Sequence, residues 1–393
     1  MSVVFQEGVL SDIARVTMGQ SPKKEFVSST QEGLPLLNGP TEFGSSHPTP
    51  VQWSTSFSKT AEPGDILFCV RGSTTGRMNW ADQQYAIGRG IASISAINPQ
   101  ERHFVRAAID LVLPELLAAA TGSTFPNVSR LQLSELPVAL PSAAVRTEIS
   151  GLLGALDDKI ESNCAQQRIG EQLLRAVIEG ILGQFSEADF ISFDAYCTQS
   201  KESVRPENIG NGDKYIALEH MPRGSVFLNS WETAKLAGIA SNKTRFRHGD
   251  LLFGKLRPYF KKVGVAPVSG VCSTDILVIR PRLPEFLPFI AVIASSDALI
   301  DSISASATGT RMPRASWKEI ATWSVPQIPD ETLTVLLHPA NQLMAFLETL
   351  SLQNLKLAQL RDALLPELMS GRMRVDEAGC LVSEALDEEV ADV

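Results

Sequence analysis

Two stretches of this chain repeat one another about 185 residues apart, far beyond the roughly 20–50 residues of solenoid and propeller units. Pro63-Gly64-Asp65-Ile66-Leu67-Phe68 returns as His248-Gly249-Asp250-Leu251-Leu252-Phe253. Thr121-Gly122-Ser123-Thr124 returns as Thr308-Gly309-Thr310-Arg311, and Leu140-Pro141 returns as Val325-Pro326. A leucine-rich segment follows each closing proline. Within it, Ala155-Leu156, Ile160 and Asn163 line up with Phe346-Leu347, Ser351 and Asn354. The pattern describes a tandem duplication of a globular domain followed by a helix.

With 393 residues, 20% charged and 44% hydrophobic, the chain has the composition of two to three folded domains, not of a disordered polymer. No uncharged apolar run reaches the roughly 18 residues needed to span a bilayer, and no secretory pattern opens the sequence. A cytoplasmic protein without membrane contact is expected. Five scattered cysteines (Cys69, Cys164, Cys197, Cys272, Cys380) have neither disulfide nor zinc spacing, which suits a reducing compartment. The net charge of −9 is unevenly placed. Residues 375–393 hold seven acids and no Lys or Arg, whereas residues 243–262 hold seven Lys or Arg against one acid, Asp250. A local patch of that density can neutralise phosphates on an acidic protein; a solvated face is the competing reading.

Along the chain, residues 1–146 read as a first α+β domain, with strands at 66–70 and 91–97 and a helix at 104–120. Residues 147–185 read as a long helix. Residues 186–331 repeat the plan, with strands at 250–253 and 276–280 and a helix at 287–303. A second long helix is expected at 332–374 and an acidic tail at 375–393. In the first long segment Ile149, Leu153, Leu156, Ile160, Asn163, Gln167, Gly170, Leu174, Val177 and Ile181 alternate steps of four and three. Leu343, Leu347, Leu350, Asn354, Leu357, Arg361, Leu364 and Leu368 do the same in the second. These are coiled-coil seams with polar residues near the middle, and two such helices can satisfy one another. Pro366 should kink or restart the second.

Catalytic signatures are missing. Gly249 to Lys255 imitates a phosphate-binding loop, but Leu256 stands where Ser or Thr should hold magnesium and Arg257-Pro258 blocks the following helix. There is no dinucleotide fingerprint, no nucleophile elbow, and no Asn-Pro-Pro-aromatic motif of adenine methyltransferases. The five histidines lack ligand spacing. The chain reads as a binder with no cofactor and no metal.

The duplicated domain and helix, with Pro-Gly-Asp-Ile-Leu, Thr-Gly-Ser and Leu-Pro punctuation, resembles the specificity subunit of type I restriction–modification systems. The resemblance runs from Leu10-Ser11-Asp12-Ile13 to Arg372-Met373 and includes Leu364-Leu365-Pro366-Glu367-Leu368-Met369-Ser370-Gly371. Two departures are His248 in place of a proline, and Ile328-Pro329-Asp330-Glu331 where a Pro-x-x-x-x-Gln segment is expected. The resemblance implies an α+β fold with two target-recognition domains in tandem, separated by two long antiparallel coiled-coil helices. It further implies a non-catalytic subunit that reads a split double-stranded DNA sequence. Two methyltransferase subunits would dock on the helices, and restriction (translocase/endonuclease) subunits would join them. A helix from Thr147 to Leu182 is about 50 Å long, ample for readers about one DNA turn, near 34 Å, apart.

Base edges are read best by Arg, Lys, Asn and Gln, while Ser, Thr and Lys often sit on phosphates. The expected DNA contacts are Arg71, Ser73, Thr75, Arg77 and Arg89 in the first domain. In the second they are Lys255, Arg257, Tyr259, Lys261, Lys262 and Arg311. Partner contacts are expected along the seams at Leu153, Leu156, Ile160, Leu174, Leu343, Leu347, Leu350 and Leu357. Because Arg71-Gly72-Ser73-Thr74-Thr75-Gly76-Arg77 differs from its counterpart Leu256-Arg257-Pro258-Tyr259-Phe260-Lys261-Lys262, the target should be asymmetric. The alternatives are a stand-alone DNA-modifying enzyme with unfamiliar motifs, or a scaffold that docks partners without reading DNA.

Overall fold

A computed structural model of the protein describes residues 5–120, 127–306 and 313–391, so both Thr-Gly loops lie outside the described residues. The chain divides into two compact units. Unit 1 is Met1–Glu161 with Ala358–Val393, and unit 2 is Ser162–Leu357.

In unit 1 the strand Ile66–Cys69 is apolar without alternation, and all four residues are buried. Such a run needs cover on both faces. Ile66 and Phe68 pack with Phe104, Val105 and Ile109 of helix α1 (Arg102–Ala120), while Leu67 and Cys69 join Leu37, Tyr85 and Ile87. The strand lies in an antiparallel sheet of order Ala14–Met18, Ile91–Ala96, Ile66–Cys69, Met78–Trp80. A second sheet of five short strands includes Leu34–Leu37 parallel to Tyr85–Ile87. Gln6–Val9 pairs with Pro137–Leu140, after the short helix α2 (Arg130–Ser134).

Unit 2 repeats this plan. Cys197–Ser200, Ile276–Pro281, Leu251–Gly254 and Val263–Val265 form the four-stranded sheet, and Phe190–Ser192 pairs with Ser324–Pro326. Leu251 and Phe253 pack towards the core of Phe286, Phe289 and Ile290, and Leu252 towards Ile216, Phe246 and Cys272. The segment expected as one helix at 287–303 is two. Ser295-Ser296 separates α4 (Leu287–Ala294) from α5 (Asp297–Ser306), because Ser296 Oγ accepts the Leu299 N–H at 3.3 Å and starts a new helix. The short helix α6 (Trp317–Ala321) matches α2, and each opens with the same reciprocal cap, Ser129 with Gln132 and Ser316 with Glu319.

The repeated Gly-Asp has a structural cause. Gly64 and Gly249 hold φ of +89° and +78° in tight turns, a region open to glycine. The aspartate that follows is buried and ties its turn to the sheet. Asp65 accepts from Glu62 N at 2.9 Å and Ser93 Oγ at 2.5 Å; Asp250 accepts from Arg247 N at 2.8 Å and from Arg280 Nε and Nη2 at 2.8 and 2.7 Å.

Helix α3 (Ala143–Gln184) and helix α7 (Asp330–Met369) each contribute to both units. α7 runs through Pro366 to Met369, one turn past the expected break. Residues expected as an acidic tail carry helix α8 (Val375–Ala391), whose Ala378 is buried in the unit 1 core. Within unit 2, Asn163 Nδ2 donates to Asn354 Oδ1 at 2.9 Å and Gln353 Oε1 at 2.6 Å, and Gln167 donates to the Leu347 carbonyl at 3.3 Å. The falling numbers on α7 make these segments antiparallel. Within unit 1, Arg361 Nη1 donates to Asp157 Oδ1 at 2.8 Å, and His103 Nδ1 lies 3.4 Å from Asp157 Oδ2.

Burial would raise the pKa of Asp157, but the adjacent His103 imidazole and the hydrogen-bonded Arg361 guanidinium outweigh it and hold the carboxyl below its ordinary value. A depressed carboxylate pKa gives stability that is present above the unfolded value, about 3.9, and is lost as pH falls through the folded one. Asp157→Asn should therefore cost about 1–3 kcal/mol at neutral pH and flatten the loss of stability below about pH 4. Urea unfolding across that pH range checks both.

Candidate nucleic-acid interface

In each unit the fully buried strand continues into a hairpin tip. Ile66–Cys69 returns as Met78–Trp80, and Leu251–Gly254 returns as Val263–Val265. The rims around the two tips share one backbone plan. Val70 N donates to the Gly90 carbonyl at 2.9 Å and Val128 N to the Val70 carbonyl at 2.8 Å. In unit 2, Lys255 N donates to the Asp275 carbonyl at 2.8 Å and Ala315 N to the Lys255 carbonyl at 2.9 Å. Isolated bridges join Arg71 to Asn127 and Leu256 to Arg314. Arg71 thus corresponds to Leu256, Arg89 to Thr274 and Asn127 to Arg314. The backbone is held constant while the side chains differ.

On the unit 1 rim Arg71, Ser73 and Arg89 are exposed. Thr75 Oγ1 donates to the Gly72 carbonyl at 2.8 Å and helps shape the tip. Arg77 reaches the carbonyls of Pro40 and Phe43 at 3.4 and 3.3 Å, so it braces the neighbouring loop. Asn38 and Asn127 of this rim escaped the sequence reading. Asn38 is exposed beside the Arg89 turn, and its Nδ2 donates to Gln52 Oε1 at 3.3 Å. The approach is close: a Cβ on Gly90 would lie 2.3 Å from the Asn38 carbonyl oxygen. Amides give no periodic signal, and only the fold brings residues 38 and 89 together.

In unit 2 the basic stretch is largely committed internally. Lys255 Nζ donates to the Thr274 carbonyl at 2.5 Å, Lys261 pairs with Asp297, and Lys262 donates to the Leu218 carbonyl. Burial and the nearby Arg223 charge pull the Lys262 pKa down. Lys243 is buried, Arg245 pairs with Glu202 at 3.4 Å, and Arg280 is held by Asp250. Arg257 and Tyr259 are exposed, and Arg223, also missed, stacks over Phe260 at 4.1 Å. Arg311 lies outside the described residues.

Of the seam residues, Leu153, Leu156, Leu174, Leu347, Leu350 and Leu357 are buried in this chain, and Ile160 and Leu343 are half-buried. A second protein does not reach the buried six without opening the seam. Exposed apolar side chains on the two long helices within unit 2 are others: Ile169 (64%), Leu173 (54%) and Phe346 (50%), with Val335 (73%) near the start of α7. Each of the first three precedes a seam position (Gly170, Leu174, Leu347). Leu173 and Phe346 precede the same kind of seam position, which in an antiparallel pair turns to one flank, and Ile169 stands one helical turn before Leu173.

No group of His, Cys, Asp and Glu among the described residues can hold a metal ion. Burial pushes the Cys197 and Cys272 thiols up to about 12, which removes them as nucleophiles. A cleft of about 540 Å³ beside Tyr196 and Arg282 contains a hydroxyl already bonded to the backbone of Pro326 and Ile328. No single helix among the described residues is long and apolar enough to cross a membrane.

The two units are two copies of one α+β scaffold with unlike rims. Residues 3–169 match the family described as type I restriction modification DNA specificity domain. The chain is 31% identical over 148 residues to a Methanocaldococcus jannaschii protein provisionally named as type I restriction enzyme MjaX specificity subunit, covering 37% of this chain and 35% of the relative. It is 22% identical over 270 residues to the type I restriction enzyme EcoDI specificity subunit of Escherichia coli, covering 59% of this chain and 60% of that one. It therefore spans about one third and three fifths of the lengths of these relatives. The fold is similar to that of the type I restriction–modification system S subunit from M. genitalium, with a TM-score of 0.61 and 16% identity, covering 93% of this chain and 96% of that one. The resemblance read from the repeats and the tandem α+β fold are thereby shown.

The close approach at Gly90 yields a stability test. Gly90→Ala drives a methyl into the Asn38 carbonyl and should cost about 1–3 kcal/mol, whereas Gly72→Ala meets no neighbour within 4 Å and bears only the strain of its +90° φ. Thermal unfolding should show the larger loss at Gly90; the reverse order would contradict the rim geometry.

Proposed function

We propose that the chain is the DNA-specificity subunit of a type I restriction–modification complex, working in the cytoplasm without catalysing a reaction itself. The observation that carries this reading is the pair of equivalent rims with unlike side chains, Arg71, Arg89 and Asn127 against Leu256, Thr274 and Arg314. Selection on one DNA half-site by each rim requires that combination: a constant frame that positions, and variable groups that discriminate. The names of the relatives support the same reading.

In this account residues 1–146 and 186–331 are the two target-recognition domains, and residues 147–185 and 332–374 are the helices that join them. Arg71, Ser73, Arg89 and Asn38 face DNA in the first, and Arg257, Tyr259 and Arg223 in the second. Thr75, Arg77, Lys255, Lys261 and Lys262 act one step back, as braces. Two methyltransferase subunits dock along the helices, and restriction subunits join that core. The net charge of −9 is no obstacle, since phosphates respond to local charge.

Two measurements test the proposal. Adenine methylation mapped genome-wide in cells making the chain with its methyltransferase should mark an asymmetric two-part sequence; a palindromic or unsplit site would contradict it. Ile169→Asp with Leu173→Asp should abolish methyltransferase co-purification while the chain stays folded. Leu347→Asp, in the seam, should instead destabilise unit 2 by several kcal/mol. Normal assembly of the first variant would move the docking face elsewhere.

A further inference from the structure

Two non-glycine residues among those described have positive φ, and they sit four positions apart in one loop: Arg257 at +50° and Lys261 at +50°. Each is an uncommon conformation for a residue with a Cβ, and it persists only where surroundings impose it. They bracket a single 3₁₀ turn, Pro258–Phe260, whose proline is buried. The turn is closed by Phe260 N to the Arg257 carbonyl at 2.9 Å and Lys261 N to the Pro258 carbonyl at 2.8 Å. Arg257 N is fixed to the Pro313 carbonyl at 3.0 Å, and Lys261 and Lys262 are tied to Asp297 and Leu218. The basic stretch thus spends its lysines on holding a strained tip in place.

What the tip presents is specific. Phe260 is half-buried and has two guanidinium groups over its ring, Arg223 with its Cζ 4.1 Å from the ring centroid and Arg257 at 5.9 Å. Tyr259 packs edge-on against the same ring at 4.8 Å and is 50% exposed. Arg223 comes from a separate loop, where Gly224 N approaches the Lys261 carbonyl at 3.4 Å. Neither arginine has an ion-pair partner among the described residues, unlike Arg245, Arg280 and Arg314 of the same unit. A planar guanidinium laid on an aromatic face has lost rotamer freedom before it meets a ligand, and its fork of donors stays open. The base edge that accepts such a fork is guanine, through O6 and N7 in the major groove.

We infer that Arg223 and Arg257, splayed over Phe260, are the guanine-reading pair of unit 2. The inference rests on the DNA-binding reading above and adds the base class and the residues that select it. A phosphate contact would need charge alone; the aromatic staging and the strained backbone fix direction, which is what a base edge demands.

The test uses the full chain in complex with its methyltransferase, offered randomised DNA duplexes, with bound sequences read out. Wild type should select a motif with a guanine in one half. Arg257→Lys and Arg223→Lys keep the charge but not the fork. Each should reduce discrimination at a guanine of that half by about 10- to 100-fold while non-specific affinity and its salt slope hold. Replacing that guanine by 7-deazaguanine, which lacks the N7 acceptor, should weaken wild-type binding and leave the lysine variants little changed. Unaltered motifs in both variants, or a uniform loss across all sequences with a shallower salt slope, would overturn the inference while leaving the specificity reading intact. A wild-type complex that selects no sequence would overturn both. Because the two arginines lie in different loops, misfolding of one variant leaves the other informative.

Discussion

In unit 2 the amide of Asn163, fully buried on α3, donates to both Gln353 and Asn354 of α7, and the Asn354 amide donates to Cys164 Sγ at 3.3 Å. The carbonyl oxygen of Asn163 is left without a hydrogen-bond partner, a loss of about 1–3 kcal/mol for a buried group. A leucine at both positions would pack more favourably. A seam of leucines, however, is satisfied in any register shifted by a heptad, whereas buried amides are satisfied in one. The polar contact gives up stability to fix how these two segments of unit 2 pair. It also joins repeat-equivalent residues, as expected where a duplicated helix pairs with its own copy.

The duplication divides the work between frame and rim. The buried aspartates at 65 and 250 hold equivalent turns, the reciprocal serine caps at 129 and 316 start equivalent helices, and the strands between them are covered on both faces. Changing any of these residues loses a turn or cap hydrogen bond or a packed face. The hairpin tips are where the copies diverge, each held by its own contacts. In unit 1 the tip is shaped by glycines at φ of +90° and +91°; in unit 2 it is shaped by a proline turn between two strained basic residues. The same hairpin therefore presents small hydroxyls and separate arginines in one unit, and a stacked aromatic and guanidinium surface in the other.

The long helices were legible in the sequence because their four-and-three apolar spacing recurs over many turns, and the fully buried strands because they are short unbroken apolar runs between turn residues. Ile149, Leu153, Leu174, Leu347 and Leu364 are buried as the seam pattern requires. The second sheet of each unit was not legible: strands such as Val27–Ser28, Thr60–Ala61 and Glu232–Thr233 are two residues long and cannot display a period. The break at Ser295-Ser296 was hidden by apolar residues continuing on both sides. The caps at Ser129 and Ser316 were available as a repeated Ser-x-x-Gln/Glu signature and were overlooked. For the rims, sequence identified the variable stretches but not the direction of their charges. That Lys255, Lys261 and Lys262 serve as braces depends on Thr274, Asp297 and Leu218, none of them close in sequence. Asn38 and Arg223 reach the rims only through the fold.

The central claim is that one chain carries two readers that act independently on a shared frame. Exchange of residues 1–146 for the equivalent segment of a relative, followed by mapping of methylated adenines, tests it most directly. The account predicts that one half of the methylated sequence changes to the relative's and the other half is retained with its spacing. A change in both halves at once would contradict it.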